Sequence, residues 1–149
     1  MSYQPKREKE TNMGLNVYLN FRGNCKEAAE VYTKAFKTEQ PKFMFFGDAP
    51  ADEGQPPLSE EDKKLVMHTE IHLDGTIIMM SDVPSFMPFT QGNNISLVLN
   101  LTDQKQLQDI YEELKVGATV MMEPGETFFS KYYAYLVDKF GIGWQLSVR

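Results

Sequence analysis

Basic clusters, paired cysteines and long apolar runs are all missing from this 149-residue chain, and each absence removes a class of function. Lys and Arg number 15 against 21 Asp and Glu, a formal net charge of −6, and no run of basic side chains offsets it. Such a surface repels phosphate backbones and anionic lipid, so neither nucleic acid nor a membrane surface is an expected partner. No apolar run approaches the ~20 residues of a spanning helix, and Met1 to Thr11 is polar and charged, unlike a signal peptide. A single cysteine cannot form an internal disulfide, which points to a reducing cytoplasm. Cys25 stands where a helix is expected to begin, a place that can lower a thiol pKa, although a small packing residue is the plainer role. Histidine is scarce too: His68 and His72 are the only two.

What is present reads as two similar halves. Residues 1–13 lack apolar periodicity and are expected to be a disordered tail, leaving 14–149 as one domain whose length suffices for a real core. Leu15, Val17, Leu19 and Phe21 alternate with Asn16, Tyr18 and Asn20, the pattern of a half-buried strand. Asn24 and Glu27 form a candidate capping box for a helix that carries Ala28, Val31, Tyr32 and Ala35 on one face. A strand is expected around Lys42–Phe46. Residues 47–64 are rich in Gly, Pro and acid without a period, so a flexible loop or flap is expected. Leu65–Leu73 and Thr76–Asp82 are strand-like runs joined by Asp74-Gly75, a hairpin signal.

After a Pro- and Gly-containing linker over 83–94, the order repeats. Ile95, Leu97, Leu99 and Leu101 alternate inward, and Asp103 with Gln106 opens a helix carrying Leu107, Ile110, Tyr111 and Leu114, ended by Gly117. Strands follow near Thr119–Met122, Lys131–Val137 and Ile142–Val148. The fold class is α+β: two tandem βαβββ modules, about 14–83 and 94–149. Burying one face of each sheet under the helices leaves the other faces to curl into a cup of mixed sheet, where a ligand would bind.

The strongest chemical signal is His68-Thr69-Glu70-Ile71-His72. On a strand, His68, Glu70 and His72 share one face. Two imidazoles and a carboxylate are a familiar ligand set for zinc or iron, but the two histidine Cα atoms lie ~13 Å apart at ~3.3 Å per residue, too far for one ion to take both. No metal is assigned on this basis. His68 beside Glu70 is the candidate catalytic pair, with the carboxylate tuning a proton carrier; a polar strand face in a wet pocket is the simpler reading. Phe128 and Phe129 lie in a turn before a strand, where an aromatic caps a pocket as readily as it fills a core. Trp144 is in register with Ile142, Leu146 and Val148 and is expected in the core; Asp82 and Asp138 are expected to cap turns.

The segments Asn20-Phe21-Arg22-Gly23-Asn24-Cys25-Lys26-Glu27-Ala28, Ile78-Met79-Met80-Ser81-Asp82, Glu126-Thr127-Phe128-Phe129 and Asp138-Lys139-Phe140-Gly141-Ile142-Gly143-Trp144 resemble the PhnB-like, or demethylubiquinone methyltransferase-like, branch of the glyoxalase/bleomycin-resistance (vicinal-oxygen-chelate) superfamily. The resemblance covers roughly residues 15–148 and implies that superfamily's fold, with a homodimer completing the cup. It implies no single reaction, because the fold serves many small molecules. Metal-using members take His and Glu ligands from the first and last strands of each half. The matching positions here are Asn16 or Val17, Met79 or Met80, Asn94 and Gln145, and amides and thioethers are poor ligands for such ions.

Asn94 and Gln145 are instead candidate ligand-orienting amides, joined by Tyr18, Phe128 and Phe129 as ligand-binding candidates. The family pattern usually has Phe-Trp where this chain has Phe128-Phe129. Methyl transfer is not expected, since Gly141-Ile142-Gly143 precedes a strand rather than opening a helix. Three functions stay open, with cofactor and ligand unknown: a small-molecule-binding protein, a metal-dependent lyase, isomerase or dioxygenase built on His68 and Glu70, and a scaffold whose cup is filled by Met79, Met80, Met121 and Met122.

Overall fold

The computed structural model describes residues 13–50 and 54–149; the tail expected over residues 1–13 lies outside them but for Met13. The first module runs β1 (Val17–Phe21), α1 (Cys25–Phe36), β2 (Met44–Phe45), a 3-10 turn (Phe46–Asp48), α2 (Glu60–Lys63), β3 (Val66–Leu73) and β4 (Thr76–Asp82). The second runs β5 (Ser96–Leu101), α3 (Gln104–Leu114), β6 (Thr119–Gly125), β7 (Tyr132–Val137) and β8 (Gly143–Val148). Each module makes one mixed four-stranded sheet, in the orders β1-β4-β3-β2 and β5-β8-β7-β6. The first strand of each pairs parallel to its last, β1 with β4 and β5 with β8, and the other pairs are antiparallel. This is the tandem α+β architecture read from the repeat.

The helices bury the expected stripes except for Val31 of α1, which is half-buried. Leu107, Ile110, Tyr111 and Leu114 of α3 are all buried, as are Ala28, Tyr32 and Ala35 of α1. The small residues Ala28 and Ala29 let α1 lie close, and α1 and α3 pack on each other as well as on their own sheets. The modules are stitched by aromatics: Trp144 of β8 sits edge-on to Tyr32 and Phe36 of α1, at 5.2 and 5.4 Å between ring centroids. Trp144 is thus core, as its register requires.

Four local expectations change. Asn24 makes no side-chain cap, and Glu27 instead pairs with Lys139 at 2.6 Å. The cap of α1 comes from across the sheet: Asp82 Oδ1 accepts from the N–H groups of Gly23 and Cys25 (2.8 and 3.0 Å), and its Oδ2 from Val66 N–H (3.0 Å). A charge-assisted cap from a buried carboxylate outcompetes a neutral local amide. The strand expected over Lys42–Phe46 shrinks to Met44–Phe45, because the chain turns into the 3-10 segment. Ile95 lies ahead of β5 and is exposed rather than inward. Within 47–64, α2 is anchored: buried Asp62 accepts from Ser85 N–H and Oγ–H (3.3 and 2.7 Å), tying it to the inter-module linker.

Asp138 does more than close a turn. Its Oδ1 accepts from Phe140 and Ile142 N–H (2.9 and 3.0 Å), and its Oδ2 from Trp144 Nε1–H (2.9 Å) and Tyr32 O–H (2.5 Å). The turn is tight enough that Gly141 holds φ +88°.

Candidate functional site

On the open face of the first sheet, the period of two places Tyr18, Met79 and Glu70 in one cross-strand row, with Met44 opposite His68. Glu70 is the hub. Its Oε2 lies 2.9 Å from His68 Nε2 and its Oε1 3.0 Å from His72 Nε2. Those hydrogen bonds, His68 first, outweigh partial desolvation and hold the Glu70 carboxyl below its ordinary range. The Tyr18 ring stands 6.0 Å from the His68 imidazole. Beside this face a cleft of about 790 Å³ runs along Lys42, Phe43 and Met44. The two imidazoles address different oxygens of one carboxylate rather than a common point. Among the described residues no three His, Cys, Asp or Glu side chains are grouped to hold a metal ion. His68 and Glu70 are therefore in hydrogen-bonding contact, as a proton-transfer pair requires.

The second sheet carries a different set. Val98, Gln145, Tyr135 and Met122 form the cross-strand row equivalent to Tyr18, Met79 and Glu70. Gln145 Oε1 accepts from Tyr133 O–H at 2.6 Å, and its Nε2–H donates to Ser96 Oγ at 2.7 Å. A phenol donates better than an aliphatic hydroxyl, so this orientation of the amide is the favoured one. The close fit depends on Gly143, where a Cβ would meet Ser96 Cβ at 3.1 Å. Phe129 packs edge-on to Tyr133 at 4.9 Å, and Phe128 to Phe129 at 5.2 Å. Phe129 is 54 % and Val98 53 % exposed, and Phe128 is fully exposed.

The candidate ligand-binding residues thus divide. Phe128, Phe129 and Gln145 surround one polar relay on the second sheet, Tyr18 joins His68 and Glu70 on the first, and Asn94 sits in the exposed turn before β5, in none of these networks. Ser96 and Tyr133 are participants that sequence reasoning missed. The alternation of β5 and β7 marks both as outward-facing, but Tyr133 lies among so many aromatics that it reads as core. The register also shows which way the positions compared with metal-using proteins face. Val17 and Met80 face the core, whereas Met79 and Gln145 lie on the open faces of their sheets and Asn94 precedes β5. Of the four methionines proposed to fill a cup, Met80 is core, while Met121 and Met122 are 59 % and 47 % exposed.

Cys25 belongs to the frame. Burial, and then the neighbouring Asp82 charge, push its thiol up to about 12, the opposite of the activation a helix start can give. No helix among the described residues is long and apolar enough to cross a membrane.

Residues 14–147 match the model of the family described as 3-demethylubiquinone-9 3-methyltransferase. The chain belongs to this family. Its members include proteins of the PhnB type, and the fold is that of the glyoxalase/bleomycin-resistance proteins. The chain is 28% identical to the protein YjdN of Escherichia coli strain K12 over 142 residues, covering 91% of this chain and 95% of YjdN. A solved structure from Bacillus cereus, a putative 3-demethylubiquinone-9 3-methyltransferase, PhnB protein, is 25% identical with a TM-score of 0.69, covering 92% of this chain and 100% of that one. A glyoxalase/bleomycin resistance protein from Albidiferax ferrireducens T118 shares the fold, with a TM-score of 0.59 at 14% identity, over 93% of this chain and 100% of that one. The family match runs through both modules, so the Glu70 hub and the Gln145 relay both lie inside it.

Proposed function

We propose that this PhnB-type protein binds a small organic molecule against its open sheet faces, in a cup that a second copy of the chain completes. The observation carrying this reading is the Ser96–Gln145–Tyr133 relay flanked by exposed Phe129, Val98 and Met122. Apolar side chains left bare on a sheet face around ordered polar groups are the surroundings of a ligand or partner. Within the relay Gln145 Oε1 and Ser96 Oγ both accept, so one Nε2–H and the Ser96 O–H remain to donate, which suits a ligand carbonyl or similar acceptor. A buried free Cys25 suits the reducing cytoplasm. Methyl transfer is not part of the proposal: each sheet has a single parallel pair, unlike the doubly wound parallel sheet with a glycine-rich turn that common adenosylmethionine enzymes use.

A thermal-shift screen of aromatic carbonyl compounds tests the reading, with sedimentation velocity reporting the dimer. Gln145→Ala and Phe129→Ala are each expected to weaken a hit by roughly tenfold, one hydrogen bond or one aromatic contact. Hits indifferent to both changes would sink it.

The His68–Glu70–His72 cluster favours a second reading, a metal-dependent lyase, isomerase or dioxygenase acting on a small molecule in the adjoining cleft. Elemental analysis of the loaded protein decides it. About one equivalent of zinc, iron, nickel or manganese, lost in His68→Ala, would establish this reading; no metal after loading leaves ligand binding as the function.

A further inference from the structure

A second cavity, of about 430 Å³, lies at the seam between the two modules; it reaches the helix side of the sheets, borders the first cleft at Thr38 and His72, and includes Val98 from the rim of the open face. Its walls include Val17, Ile78, Leu97, Leu99, Ile110 and Trp144, drawn from both sheets and from α3. These walls are apolar, polar side chains such as Asn100 and Gln106 standing at the exposed rim, and the cavity's size is within the range of small-molecule pockets. Thr38, just past the end of α1, also lines it. Its Oγ1 is buried and, among the described residues, is the one buried side-chain polar atom without a hydrogen-bond partner. Buried hydroxyls are normally paired, because an unmade hydrogen bond carries the full desolvation cost. Since this hydroxyl makes no bond, a χ1 turn that presents it to the cavity breaks none.

We propose that the seam is a second binding site, centred on the helix side of the sheets and touching the open faces only at its rim, for a neutral and largely apolar small molecule carrying one hydroxyl or carbonyl that pairs with Thr38. Neutrality follows from the wall chemistry. No Lys or Arg lines the cavity to hold an anion, and its two ionisable side chains, His72 and Asp74, are exposed at the β3–β4 hairpin end, as Asn100, Thr102 and Gln106 are at the other rim, leaving the buried walls uncharged. The site does not depend on the reading of the open faces.

Methyl NMR titration separates the two locations, with 2-naphthol as probe and naphthalene as its counterpart lacking the hydroxyl. In the wild type, 2-naphthol is expected to shift the Val17, Leu97, Leu99 and Ile110 methyls and leave the methyl of Met122, on the open face and outside this cavity, unmoved. Thr38→Val, which keeps the shape and removes the hydroxyl, is expected to weaken 2-naphthol about tenfold, the worth of one hydrogen bond, and to leave naphthalene within about twofold. It is also expected to raise the melting temperature by a few degrees, since the orphan hydroxyl is gone. Three results would each overturn the proposal: shifts confined to Met122 and its open face, equal 2-naphthol affinity in Thr38→Val, or no saturable shift up to the probe's solubility.

Discussion

Asp138→Ala is expected to destabilise the protein by about 3–5 kcal/mol, the range seen when one partner of a buried charged network is removed. Four donors converge on this carboxylate, two from the turn backbone, one from Trp144 and one from Tyr32. Truncation leaves all four without a partner in a region where Asp138 itself is 6 % exposed. Because Tyr32 belongs to α1 and Trp144 to β8, the loss falls on the junction between modules. A domain of this size typically has only 5–15 kcal/mol to lose, so the variant should sit near the folding threshold. Asp138→Asn keeps one acceptor oxygen but turns an amide N–H₂ toward donors, and an intermediate loss is expected. Urea unfolding followed by the fluorescence of Trp144, the chain's single tryptophan, measures both. A loss below about 1 kcal/mol for alanine would show that water replaces the carboxylate and that the junction is held by packing alone.

Raising the pH should weaken the fold well before the backbone is at risk. The Cys25 thiol is pushed from 9.0 up to about 12 by burial and by Asp82. An acid whose folded pKa lies above its unfolded value keeps its proton in the native state after the unfolded chain has lost it. Stability is therefore unaffected below pH ~9 and falls from there up to about 12, by ~1.4 kcal/mol per pH unit and up to ~4 kcal/mol in all. Tyr32, raised by burial and by the Asp138 charge, adds to the loss above its ordinary range near 10.0. Unfolding free energies at pH 7, 9 and 10 isolate the thiol. Cys25→Ala should flatten the slope between 9 and 10 whatever it does to absolute stability, and an unchanged slope would refute the assignment. The same burial predicts that thiol reagents label Cys25 only at the rate of unfolding.

Periodicity was enough to find most elements. The α3 stripe, the Asp74-Gly75 hairpin and the alternation of β1 and β3 depend on residues within one turn or one strand, and local physics decides them. Errors fall where a distant group intervenes. Asn24 and Glu27 make a sound local capping box, yet Asp82, more than 50 residues later, takes the donors of the α1 start. Asp62 in the supposed flexible loop finds Ser85 in the linker. On the sheet faces, His68, Glu70 and His72 were visible as a group because they lie within five residues. The relay of Ser96, Tyr133 and Gln145 spans three strands, and only cross-strand register brings its members together.

The sequence by itself determined the two-module order, the helix stripes and which side chains of β1 and β3 face out, because hydrophobic period and turn chemistry are local properties of the chain. Tertiary structure alone decided which carboxylates became buried hubs, which amide found which hydroxyl, and where a cavity remained beside an unpaired Thr38. Those outcomes depend on the desolvation and close packing of groups far apart in the chain, and neither quantity exists until the modules meet.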